Sequence, residues 1–173
     1  MWSGIRSWIL AVPILLPVGI FLLVPEFTFA GGETLVSLKD GGSGRRIGCA
    51  VLHDGEPVVL TWMNSLFRLK VTEIYTTREG ILEQTAVTYG DPSGKEPPGV
   101  EPKDVEDLYH TGGPFTAKGL AIPYHKIVFR IGEIGNPVLN LGGRSIYLAD
   151  EVGFGGSVIL EAGKADPRVH GCP

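Results

Sequence analysis

The sequence predicts an all-β fold: an antiparallel sandwich or small barrel of about seven or eight short strands, preceded by an N-terminal apolar helix. Three observations carry this expectation. Apolar residues recur in short runs with period-two alternation, the mark of half-buried strands. The 25 glycines and 13 prolines fall mostly between these runs, where turns are needed. No amphipathic helix of useful length separates the runs, so a parallel βαβ sheet is not expected. With 43% apolar and 20% charged residues, the chain has the material for a packed core.

The elements follow in order. Residues 1–30 open with "MWSGIRS", which carries Arg6 and no acid, followed by the uncharged "WILAVPILLPVGIFLLV". Pro25, Glu26 and "FTFA" close the segment, with Ala30 at a plausible cleavage site. Two readings stay open, a secretory signal peptide or an uncleaved membrane anchor. Either one places residues 31–173 outside the cytoplasm, periplasmic or tethered to the cytoplasmic membrane, because Arg6 lies before the apolar run.

The β domain is expected over residues 31–165, with a tail at 166–173. "ETLVSLK" alternates and stops at the turn cluster "DGGSG"; "RIGCAVL" follows and stops at "HDGEP". "VVLTWM" begins a third run, and "LFRLKVTEIYTT" continues beyond Asn64 and Ser65. "REG" at 78–80 makes a hairpin turn between that run and "ILEQTAVTY". Residues 90–115 are too rich in proline and glycine for a regular strand, although "PKDVEDLYH" suits one or two helical turns starting near Pro102 and Asp104. So long a segment reads either as a mobile surface loop or as a lid or docking loop. "HKIVFRIG" is a strand, "PVLNLGGRSIYLADEV" is two short runs around Gly142 and Gly143, and "SVILEA" is the last strand.

Charge and motif content exclude several classes. A net charge of −4 with no basic block gives nucleic acid nothing to bind. There is no phosphate-binding loop, dinucleotide fingerprint, HExxH or GxSxG. His53, His110, His125 and His170 are scattered, and no cofactor or metal is expected. Cys49 and Cys172 pair in one reading, tying the tail to an early strand in an oxidising compartment; in the other, Cys49 is buried and the tail thiol is free.

The candidate binding residues lie in "TWMNSLFRLKVTEIYTT", residues 61–77. Read as one strand, Phe67, Leu69, Val71 and Tyr75 share a face, and Glu73 falls among them. A carboxylate on a core face must be hydrogen-bonded, paired or protonated, and Arg68 or a backbone N–H would serve. The alternative is a bulge that turns Glu73 to solvent. Ser65 shares the Glu73 face in an ideal strand, and Asn64 takes the opposite one. A serine hydrolase built on Ser65 needs a nearby base, and no histidine adjoins it in sequence.

The same segment resembles the DUF1850 family, whose motif runs aromatic-x-His-Ser-Val, a spacer, then Glu and an aromatic. Ser65 matches the serine, Glu73 the glutamate and Tyr75 lies near the aromatic, while Asn64 stands where histidine is usual. Asn64 can donate and accept hydrogen bonds but cannot carry a proton near neutral pH. The resemblance implies a small exported or anchored protein, associated with TRAP transporters of the TAXI type. Its partner would then be the transporter's membrane subunit or its solute-binding protein. It also implies a non-enzymatic accessory or binding role centred on Asn64, Ser65 and Glu73.

Overall fold

A computed structural model describes residues 32–166 and Cys172. The expected N-terminal helix and most of the tail lie outside these residues. The described chain is mostly strand and forms two sheets. Eleven strands appear in order: β1 (Glu33–Asp40), β2 (Arg46–His53), β3 (Pro57–Met63), β4 (Lys70–Arg78), β5 (Ile81–Tyr89), β6 (Gly99–Val100), β7 (Phe115–Tyr124), β8 (Lys126–Arg130), β9 (Val138–Leu141), β10 (Arg144–Tyr147) and β11 (Ser157–Lys164). Helix α1 (Val105–Thr111) lies between β6 and β7, and α2 (Leu148–Val152) between β10 and β11.

One sheet has the order β2-β1-β11-β8, the other β10-β9-β3-β4-β5-β7-β6. Every pairing is antiparallel except the two-residue β6 beside β7. The count exceeds the expected seven or eight for three reasons. β6 has only two residues and falls in the segment expected to be irregular. Residues 61–77 are not one strand but the end of β3, a turn and most of β4. The ten-residue β7 has no counterpart in the sequence expectation, because Gly119, at φ 74°, breaks its alternation.

The β4–β5 hairpin forms as expected. Glu79 (φ 50°) and Gly80 (φ 87°) both take left-handed backbone, as a two-residue hairpin turn of this hand requires. Gly80 has a second reason to lack a side chain: a Cβ there would lie 2.7 Å from the Lys164 backbone nitrogen. Its own N–H donates to Oγ1 of the buried Thr34 at 3.0 Å, tying the hairpin tip to the other sheet.

Two apolar clusters result. The first fills the space between the sheets, with Val36, Leu38, Val58, Leu60, Tyr75, Leu82, Leu139, Val158 and Leu160 among its members. The second lies where the larger sheet extends beyond the smaller one, and comprises Leu69, Val71, Val87, Tyr89, Val105, Phe115, Ala117 and Leu120. Residues 90–115 therefore do more than loop over the surface. Pro102–Asp104 makes a 3-10 turn, and α1 packs Val105 and Leu108 against this second cluster. Trp62 packs against both clusters.

Candidate functional site

Glu73 sits at the seam between the clusters. Its neighbours across the sheet are Leu60 on β3 and Val87 on β5, both buried and apolar. Alternation along β4 puts Val71, Glu73, Tyr75 and Thr77 on the inner face, and all but Glu73 are fully buried. The register shift between β4 and β5 places an extra residue, Thr85, on β5, so β4 itself keeps its alternation. The bulge that would turn Glu73 to solvent is not in its strand.

The carboxylate finds its partners among aromatic side chains. The Tyr75 hydroxyl donates to Oε2 at 2.5 Å, and Trp62 Nε1 donates to Oε1 at 3.4 Å. Arg68 does not serve: it is exposed in the β3–β4 turn with φ 54°. Glu73 has no ion pair among the described residues. Burial pushes its pKa up, against the downward pull of the Tyr75 and Trp62 hydrogen bonds. Burial likewise raises Tyr75, Tyr89, Tyr109 and Tyr124, and the Glu73 charge adds to the rise at each.

These rings form two groups around the acid. Trp62 meets Tyr89 edge-on (centroids 6.4 Å apart), and Tyr89 contacts Tyr109 and Phe115. On the other side Tyr75 meets Tyr124 at 5.9 Å. Glu73 hydrogen-bonds one member of each group.

Asn64 and Ser65 occupy the turn between β3 and β4. Asn64 ends β3 because its Oδ1 accepts the N–H groups of Leu66 (2.9 Å) and Phe67 (3.0 Å), and its carbonyl accepts that of Arg68 (2.9 Å). Its side chain also hydrogen-bonds Tyr89, which holds that phenol's pKa down against burial. The expected opposition of Asn64 and Glu73 across one strand does not arise, since they belong to different elements. Ser65 is exposed.

Glu73 opens into a cleft of about 230 Å³ between β3 and β8, the edge strand of the smaller sheet. Leu60, Trp62, Val128, Phe129, Arg130, Gly135 and Pro137 line it with Glu73. Ser65 lines an adjoining depression that shares Trp62, Arg130 and Gly135 with the first. The structure thus places Ser65 and Glu73 in two different depressions that share Trp62, not in one pocket. Among the described residues neither lining includes a histidine.

Sequence reasoning missed Trp62, Tyr89 and Arg130 as parts of this site. Tyr75 was accessible, two residues from Glu73 on one face. Trp62 follows only once Asn64 is read as a turn residue, which folds β3 back along β4.

The site predicts a pH signature. A raised folded-state pKa makes Glu73 favour folding in its protonated form. Stability is therefore lost as pH rises from the ordinary glutamate range through the raised value. Glu73→Gln removes that loss. The variant is expected to melt higher than the parent at pH 7, with the gap narrowing toward pH 4.5. Thermal melts across this range check it, and a variant less stable at pH 7 than at pH 4.5 relative to the parent contradicts it.

Fold and site together define a two-sheet β protein with a carboxylate in the seam of its core, open to a small cleft. No family model, no curated protein and no solved structure matches this chain.

Proposed function

We propose that this chain is a non-enzymatic, extracytoplasmic accessory or binding domain that works beside a TRAP-type transporter of the TAXI class. The Glu73 cleft carries the reading: it sets two polar recognition groups, Glu73 and Arg130, in an otherwise apolar lining, as small-ligand and partner sites do. The resemblance of "NSLFRLKVTEIY" to the DUF1850 motif supplies the transporter context and the partner, its membrane subunit or solute-binding protein. The Cys49–Cys172 bridge agrees with an oxidising compartment. The signal peptide or anchor proposed for residues 1–30 would deliver the domain there.

Mild crosslinking in native membranes, followed by purification of the chain, is expected to enrich a transporter component. Recovery of the chain with none enriched contradicts the proposal. A purely structural role for Glu73 is the second reading, favoured by its two internal hydrogen bonds. If Glu73→Gln changes stability and leaves partner capture unchanged, the structural reading is correct.

A further inference from the structure

The Glu73 cleft contains two opposite charges that the fold leaves unmatched. Glu73 has no cationic partner among the described residues, and neither does Arg130 have an anionic one. Both line the same cleft, Glu73 from β4 within the larger sheet and Arg130 from the exposed end of β8. They do not approach within ion-pair distance of each other.

The walls between them are selective. Trp62 and Phe129 supply aromatic surface, and Leu60, Val128 and Pro137 are apolar. Aromatic faces attract cations, most strongly when water is excluded. Each Glu73 oxygen already accepts a hydrogen bond, one from Trp62 and one from Tyr75. What the carboxylate offers a ligand is therefore mainly negative charge, which a methylated ammonium satisfies without donating a hydrogen bond. At about 230 Å³ the cleft is below the usual range for drug-sized ligands, which points to a molecule of few heavy atoms.

We propose that the cleft binds a small zwitterion, its methylated ammonium against Glu73, Trp62 and Phe129 and its carboxylate at Arg130. This rests on reading the Glu73 cleft as a binding site and names the chemical class of its ligand. The partly buried acid supplies the charge the ammonium needs, and its partial desolvation leaves that charge in want of a counter-ion. Arg130, at the rim, discriminates zwitterions from bare cations.

Isothermal titration of the full chain in detergent tests this with three probes of nearly equal shape. Glycine betaine carries both charges, choline lacks the carboxylate, and 3,3-dimethylbutanoate lacks the positive charge. The expected order is betaine first, choline at least tenfold weaker, and no measurable heat from 3,3-dimethylbutanoate. Glu73→Gln is expected to weaken betaine by tenfold or more, with its folding confirmed by an unchanged far-ultraviolet spectrum. Arg130→Met is expected to bring betaine down to the affinity of choline and to leave choline unchanged. Silence from betaine at millimolar concentration, equal binding of 3,3-dimethylbutanoate, or a folded Glu73→Gln variant with parental affinity overturns the proposal. Transporter capture reads the accessory role separately. Capture without betaine binding rejects the ligand class alone, and betaine binding without capture rejects the transporter association alone.

Discussion

Replacing Cys49 and Cys172 together with alanine is expected to destabilise the β domain by about 4–5 kcal/mol. The bridge joins Cys49 on β2, an edge strand of the smaller sheet, to Cys172 in the tail, across a sequence separation of 123 residues. Closing a loop that long removes many conformations from the unfolded chain, and the chain-entropy treatment scales the benefit with the logarithm of loop length. β2 has a particular need for it, because among the described residues only β1 pairs with it in the sheet order. With a urea dependence of about 2 kcal/mol per molar, the midpoint should fall by about 2 M. Urea titrations of the parent and the double alanine variant measure the shift. A midpoint that stays put would mean that the unfolded chain gains nothing from the cut.

Sequence alone made the strands legible wherever turn chemistry was explicit. Glu79-Gly80 and Gly142-Gly143 mark hairpins because left-handed backbone is needed there, and each joins strands close to those expected. Reading failed where one residue hid the pattern. Gly119 interrupts β7, so Phe115, Ala117, Leu120 and Ile122 do not show one continuous alternation. Asn64 ends β3 through side-chain bonds to the next backbone amides, which a pattern of apolar and polar residues does not record.

The site divided the same way. That Glu73 faces inward was legible from the period of β4, a local property. That Trp62 and Tyr75 hold it was only half legible. The Tyr75 contact lies within one strand, whereas the Trp62 contact depends on the β3–β4 register, set by the turn at Asn64. Arg130 joins the cleft from another sheet, and no local pattern announces a meeting of that kind. Carrying Ser65 onto the Glu73 face came from treating the turn as strand.

Phe115→Ala should cost about 3–5 kcal/mol, the range for removing a buried aromatic ring from a core. Phe115 is 1% exposed, stacks on Tyr89 with centroids 4.8 Å apart, and meets Tyr109 edge-on. The loss should also be uneven, because the two clusters are separated along β4 by Glu73 and joined by few side chains, Trp62 chief among them. An ionisable residue at that seam cannot contribute the dispersion and burial that an apolar one would. Opening of α1 and the β6–β7 region should therefore become easier before β1 and β11 are affected, as local stability differs across a fold. Hydrogen exchange in the Phe115→Ala variant should accelerate first in β7 and α1. The disturbance should then travel to the cleft, since Tyr89 is the ring that backs Trp62. Equal acceleration in β1, β11 and β7 would show instead that the two clusters open as one unit and that the Glu73 seam is no boundary.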